Sequence, residues 1–249
     1  MLVVQPSLSI IIPVFNEEER IGATLNVVVN FLRTREYAWE IVISDDGSTD
    51  STVLIVKQFI NDGFDIKLLQ LAHQGKGWAI KNGMLSATGK YRFICDADLS
   101  MPIDQIERFF VNNSGCGEIV IGSREMPLSR RIGEPFSRRL MGRIYNILVR
   151  GMGVSRITDS QCGFKCFSGE QVFALFDKQT ITGFAFDVEI LFLAQRAGIT
   201  IREIDIDWYY MPNSKVRPIL DGICMTWDLA RIRWIHKFES RGRKSSNAN

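Results

Sequence analysis

The chain has 249 residues, 46% of them hydrophobic and 23% charged, the make-up of a globular protein long enough to bury a full core. No apolar run reaches the roughly 18 residues of a membrane span, and the N-terminus lacks a signal peptide's basic start, so neither a spanning nor a secreted chain is expected. The net charge of +2 hides an asymmetry: residues 124–150 and 215–249 each carry +5, leaving −8 elsewhere, which points to an anionic partner met by particular surfaces.

Leu8 to Val14 is an apolar run between Pro6 and Asn16, and it reads as a fully buried parallel strand. Asn16 is placed to cap a following helix with Glu17, Glu18 and Glu19 in its first turn and Ile21, Leu25, Val28 and Leu32 along one face. Trp39 to Ser44 is a second strand, ending in Asp45-Asp46-Gly47-Ser48-Thr49-Asp50, a turn and a new cap. Val53, Val56 and Ile60 carry the next helix, Ile66 to Leu71 a third strand, and Gly75-Lys76-Gly77 opens a helix to about Ala87. Lys90 to Asp96 is a fourth strand, Ile103 to Val111 a helix and Glu118 to Ser123 a fifth strand. Strands alternating with helices at this spacing predict an α/β fold with a mostly parallel sheet covered on both faces.

Beyond Arg124 the pattern changes. Met126 to Pro135, rich in Arg, Pro and Gly, reads as a mobile loop, and Phe136 to Gly151 as an amphipathic helix with Leu140, Ile144, Ile147 and Leu148 against Arg138, Arg139 and Arg143. A short strand and a helix from about Glu170 follow, then a helix opened by Gly183 to Glu189 that runs to about Ala197. Ile201 to Trp208 alternates as a half-exposed strand does, and Pro218 to Phe238 is a long helix. Trp227 and Trp234 on that helix suit either packing or an interfacial position beside Arg231, Arg233 and Lys237. The domain division is 1–216, in two parts at 8–125 and 126–216, then a helix at 217–239 and a disordered tail at 240–249. His73 and His236 stand isolated, and the five cysteines lack metal-type pairing and suit a reducing cytosol.

The stretch that carries chemistry is Phe93-Ile94-Cys95-Asp96-Ala97-Asp98, an apolar run ending in two carboxylates. At i and i+2 of a strand, Asp96 and Asp98 would point the same way at the sheet's ligand-binding end. Convergent carboxylates repel unless a cation lies between them, and oxygen ligands suit Mg²⁺ or Mn²⁺ carrying a substrate phosphate. The alternative is an Asp-rich turn and cap. A dinucleotide fingerprint is absent, since the first turn, Pro13-Val14-Phe15-Asn16-Glu17, has no glycine, and Gly75-Lys76-Gly77 is no phosphate loop because Trp78 is reached without a Ser or Thr after Lys76. No nucleic-acid motif is present, so nucleic acid is not an expected partner.

These motifs, in this order, resemble glycosyltransferase family 2 over residues 8–125. Gln161-Cys162-Gly163-Phe164-Lys165, Phe186-Asp187-Val188-Glu189 and Trp208 with Asn213-Ser214-Lys215 extend the likeness to the polyprenyl-phosphate sugar transferases, the dolichyl-phosphate β-glucosyltransferases in particular. The resemblance implies a GT-A type fold and metal-dependent, inverting transfer of a hexose, glucose favoured, from a nucleotide-diphosphate sugar, UDP favoured over GDP, to a lipid phosphate at the cytoplasmic face of a membrane that the chain touches peripherally. The alternatives are transfer to a soluble or polysaccharide acceptor hydroxyl, and a GDP-mannose-using lipid-phosphate mannosyltransferase. By the same resemblance Pro13, Phe15, Glu17, Ser44, Asp46, Lys76, Asp96 and Ala97 address the nucleotide, and Asp96 and Asp98 hold Mg²⁺ or Mn²⁺ with Ser100 nearby. Arg124 meets a phosphate, and Arg138, Arg139 and Lys165 receive the acceptor. A phosphate acceptor is already anionic near neutral pH and needs little base help; a hydroxyl acceptor would need a carboxylate base, for which Asp159 and Asp187 are the candidates.

Overall fold

The computed structural model describes residues 6–110, 118–211 and 218–245. Its centre is a seven-stranded sheet built from β1 (Leu8–Val14), β2 (Trp39–Asp45), β3 (Ile66–Gln70), β4 (Tyr91–Ile94), β5 (Glu118–Ser123), β7 (Lys165–Ser168) and β8 (Thr200–Asp205), in the order β3-β2-β1-β4-β7-β5-β8. All neighbours run parallel except β7, which pairs antiparallel with both β4 and β5. Strand alternation decides which core each residue joins. Ile10 and Ile12 face a cluster with Ile21, Leu25 and Val28 of α1 (Ile21–Arg33) and Val56 of α2 (Thr52–Asn61). Ile11 and Val42 face the other cluster, with Ile80 and Met84 of α3 (Lys76–Ser86). Both faces of β1 are therefore dry, which is why it reads as an uninterrupted apolar run.

The second cluster also takes in α4 (Phe136–Gly151), α5 (Glu170–Asp177), α6 (Phe186–Arg196) and α7 (Pro218–Ser245). The helix α7 runs past the expected end near 239, so of the tail only 246–249 lie outside the described residues; Asn213, Ser214 and Lys215 also lie outside them. Strand order reverses beside β1, since β2 lies on one side and β4 on the other, and the crevice at their carboxyl ends is where an open α/β sheet receives a ligand.

Four expectations are corrected. Asn16 does not cap α1: it takes a left-handed conformation (φ 51°), and the helix starts only at Ile21, leaving Glu17 to Glu19 in the preceding turn. Met126 to Pro135 is not simply a loop, because β6 (Arg130–Ile132) pairs parallel with β9 (Asp207–Tyr209) in a second small sheet. The strand expected over 201–208 is accordingly split at the fully buried Ile206, and the helix expected from Ile103 is a 3-10 helix over Ile103–Phe109, with Val111 outside the described residues.

The helix α3 sits close on the sheet because Gly83 has no side chain: a Cβ there would lie 2.5 Å from Ser44 Oγ and 2.6 Å from Ile11 Cγ2. Gly83→Ala is expected to lift α3 and lower stability by about 1–3 kcal/mol, read as a fall in the urea midpoint; an unchanged midpoint would contradict this packing.

Candidate active site

Four strand exits build the crevice. The first two are laced together by side chains. The Asn16 N–H donates to Ser48 Oγ at 2.8 Å, its Oδ1 accepts from the Thr49 N–H at 2.8 Å, and the Glu17 N–H donates to Thr52 Oγ1 at 2.7 Å. Pro13 and Phe15 are half-buried beside this lacing, and Glu17 pairs with Arg20 at 2.7 Å.

Asp46, at the exit of β2, is almost wholly enclosed. Its two oxygens accept the N–H groups of Gln74 and Gly75 at 2.9 and 2.8 Å, and His73 Nδ1 lies 2.8 Å from Oδ2. The carboxylate thus fixes the β3–α3 turn, where Gly75 takes φ 117°, a value strained for any side chain. The His73 ring, 58% exposed, stacks on Phe15 at 4.2 Å and 17°. Ser44 is placed otherwise than expected. It shares a face with Val42 two residues earlier, so it is fully buried beneath α3 rather than turned to the crevice.

β4 ends at Ile94, so Asp96 and Asp98 do not share a strand face; they straddle a turn in which Leu99 has φ 46°. The buried Ala97 carbonyl accepts from Thr24 Oγ1 at 2.6 Å, and Asp98 Oδ1 accepts the Ser100 N–H at 3.0 Å. Lys76, the first residue of α3, reaches across and places Nζ 2.6 Å from Asp96 Oδ1. Burial alone would lower the Lys76 ammonium, but Asp96, Asp187 and Asp98 around it outweigh that and raise it above the ordinary lysine value. Gly163 makes the room: a Cβ on it would fall 1.8 Å from Asp96 Oδ2.

Asp187, in the first turn of α6, extends the cluster inward. Its Oδ1 is 2.7 Å from Lys165 Nζ, and burial pushes its carboxyl up although Lys165 and Lys76 oppose the shift. Lys165 is 2% exposed, because β7 lies inside the sheet with neighbours on both sides. It also donates to the Cys162 carbonyl, so its expected place on an acceptor surface is not where the fold puts it. Asp159 is likewise no free base. Arg124 grips it through Nε at 2.7 Å and Nη2 at 2.8 Å, and the Arg124 N–H adds a third bond at 3.0 Å. Burial would raise the Asp159 carboxyl, but the adjoining guanidinium brings it down to about 2. Arg131 braces this pair, donating to the Arg124 carbonyl at 3.1 Å and pairing with Glu125 and Glu134. Of the expected acceptor residues, Arg138 lies over the Tyr210 ring at 5.2 Å and Arg139 is exposed.

Sequence reasoning missed the residues that support α3. Glu189 Oε2 accepts the N–H groups of Thr180 and Ile181 at 2.9 and 2.8 Å, and Oε1 meets His236 Nε2 at 2.7 Å. The loop so held accepts the Trp78 N–H on the Thr182 carbonyl at 3.1 Å, and Gln179 Nε2 donates to the Gly77 carbonyl at 2.8 Å. No local signal marks Glu189 and His236 as a pair, since they are 47 residues apart.

The donor chemistry at the β4 exit fits a hard divalent cation. It offers two carboxylates, and among the described residues no group of three or more His, Cys, Asp or Glu converges, so the rest of a coordination sphere falls to ligand oxygens and water, as Mg²⁺ tolerates.

The family model described as glycosyl transferase family 2 matches residues 9–170. A dolichyl-phosphate beta-glucosyltransferase of Dictyostelium discoideum is 35% identical over 242 residues, covering 91% of this chain and 74% of that protein. Proteins of the same name from Saccharomyces cerevisiae and Homo sapiens are 33% and 30% identical, each again over 91% of this chain and 74% of their own length. Among solved structures, glucosyl-3-phosphoglycerate synthase from Mycobacterium tuberculosis, in complex with Mn²⁺, UDP-glucose and phosphoglyceric acid, superposes with a TM-score of 0.67 at 16% identity, covering 92% of this chain and 80% of that one; the likeness is one of fold.

Asp159→Asn would leave Arg124 buried without its counter-charge, a loss of about 3–5 kcal/mol. The folded-state value near 2 lies below the ordinary 3.8, so the wild-type contribution is whole above pH ~4 and fades as pH falls toward 2. Urea unfolding across this range is expected to show that acid limb in the wild type and a shallower one in the variant; equal slopes would contradict the assignment.

Proposed function

The chain belongs to glycosyltransferase family 2, and we propose that it moves glucose from UDP-glucose to a polyprenyl phosphate of the dolichyl type, with inversion at the anomeric carbon. Its fold is of the GT-A type, and the activity is that of a glycosyltransferase. The observation that carries the finer reading is the Asp96–Ala97–Asp98 turn, reached by Lys76, inside a chain whose relatives across nine-tenths of its length bear one activity name.

In this reading residues 8–125 form the nucleotide-sugar half and 126–216 the acceptor half. The half-buried Pro13, Phe15 and Glu17, with the stacked His73, wall the base and ribose, and Asp46 holds that wall in shape. Asp96 and Asp98 hold Mg²⁺ or Mn²⁺, which when bound supplies Lewis-acid neutralisation of the departing diphosphate. Lys76 adds a fixed positive charge at the N-terminus of α3, where backbone N–H groups also favour an anion. Asp187 and Lys165 keep Lys76 in place from behind. The acceptor phosphate is already anionic, so it requires cations more than a base. Arg124 is committed to Asp159, and the exposed Arg139, with Arg138 beside it over the Tyr210 ring, draws the acceptor in. Among the described residues no helix is long and apolar enough to cross a membrane.

The test is calorimetric titration with UDP-glucose and GDP-mannose, each with Mn²⁺ and with chelator, followed by transfer to polyprenyl phosphate. UDP-glucose is expected to bind only with metal. Asp98→Asn is expected to lower turnover by about 10²-fold or more with an unchanged melting temperature. Metal-independent binding, preference for GDP-mannose or full activity in the variant would overturn the reading.

A further inference from the structure

A carboxylate buried among apolar side chains persists only where its lone pairs are taken up. Glu189 is fully buried, in the first turn of α6 and two residues beyond Asp187. Its Oε2 accepts the N–H groups of Thr180 and Ile181, and its Oε1 accepts the Thr180 hydroxyl at 2.7 Å and the His236 Nε2–H at 2.7 Å. A buried charge adds little net stability over an apolar residue of similar size, so its telling property is what it fixes in place. Outward, that is α7. His236 is itself buried, and its carbonyl accepts from Arg196 Nη1 at 2.6 Å, so one residue of α7 bonds both ends of α6.

Inward, it is the turn that presents Lys76. The 179–183 loop lies along the start of α3: Gln179 Nε2 donates to the Gly77 carbonyl, the Thr182 carbonyl accepts the Trp78 N–H, and Lys81 Nζ donates to the Gln179 carbonyl at 2.8 Å. Gly75 and Gly77 leave no side chain between loop and helix, and Lys76 stands between those two glycines with its ammonium on Asp96. A carboxylate that holds the Thr180 and Ile181 N–H groups therefore sets where the start of α3 lies, and with it how far Lys76 reaches. The same helical turn carries Asp187, which faces Lys165 and lies in the field of Lys76. Glu189 thus governs Lys76 from two sides while its own bonds are to the loop and to α7. We propose that Glu189, steadied by His236, is a positioning residue for Lys76 and so sets the affinity of the crevice for the donor's diphosphate. This deepens, and rests on, the reading of Lys76 as a diphosphate contact.

The test is a mutant cycle on the full chain, read by calorimetric titration with UDP and with UMP in the presence of Mn²⁺. Lys76→Met is expected to weaken UDP about tenfold or more and UMP by less than about twofold. Glu189→Gln sets an amide N–H₂ against the loop N–H groups or the imidazole, and is expected to weaken UDP about fivefold with UMP again little changed. Combined with Lys76→Met, Glu189→Gln should cost nothing further, because the residue it positions is gone. His236→Leu removes the outer bond alone and is expected to weaken UDP in the same selective way, while His236→Gln, which keeps a donor at the place of Nε2, restores it; this pair carries the test even if Glu189→Gln fails to fold. Equal weakening of UMP and UDP, an additive loss in the double variant, or unchanged UDP affinity in the Glu189 and His236 variants would overturn the positioning role and leave the donor reading standing. A wild type that binds no UDP, or a Lys76→Met variant that binds it undiminished, would overturn both.

Discussion

Lys76 is where the architecture and the chemistry meet, because its ammonium must be neutralised at the bottom of a crevice with limited access to water. Asp96 holds it directly, Asp98 and Asp187 lie within electrostatic reach, and Lys165 balances Asp187 from the far side. Counted formally, three carboxylates face two ammonium groups, which leaves the cluster at −1. That residual charge makes the crevice hospitable to a divalent cation, and with one bound the balance becomes favourable for a diphosphate. On the proposed reading the same residues that balance the Lys76 charge also prepare the crevice for an anionic donor.

This arrangement depends on close backbone approaches. A Cβ on Gly77 would lie 2.7 Å from the Ile181 carbonyl oxygen, and one on Gly75 would lie 2.7 Å from the Thr182 carbonyl oxygen. The turn that presents Lys76 is therefore pressed against the 179–183 loop, and that loop is held by Glu189. Burial would raise the Glu189 carboxyl, but bonds from His236, Ile181 and Thr180 bring it below the ordinary value. The tether reaches α7 through His236, so the C-terminal helix is part of the support of the site rather than an appendage to it.

How much of this was legible in the sequence follows from where the determining forces are local. The runs at 8–14 and 118–123 and the helix at 136–151 match their observed bounds because burial of a whole strand, or of one side of a helix, imprints directly on residue order. The motifs at the exits of β1, β2 and β4 were visible because turn chemistry restricts residue type. Misplacements arose where the partner was distant. Lys165 looks like a solvated cation until β7 is seen inside the sheet, and Asp159 looks like a base until Arg124, 35 residues earlier, closes on it. Ser44 carries no mark of its burial in the sequence, because its cover is α3, whose Gly83 packs on it from 39 residues later. His73 gives no signal at all in sequence; its place follows from Asp46 and Phe15 meeting across two turns.

The helix α4 ties these strands together. Its inward residues end in the polar network of the crevice: Asn146 bonds Ser160 and its N–H, while the Tyr145 hydroxyl, raised by burial to beyond the ordinary tyrosine range, lies within the field of Asp187. Its outward residues are apolar with a basic edge. An enzyme that must join a water-soluble donor to an acceptor whose phosphate cannot leave the lipid surface faces a geometric constraint before a chemical one: both substrates must reach one crevice while one of them stays anchored. On the proposed reading α4 is where the two demands meet, since Asn146 ties it to Ser160 on one side while Phe136, Ile144 and Ile147 stay exposed on the other.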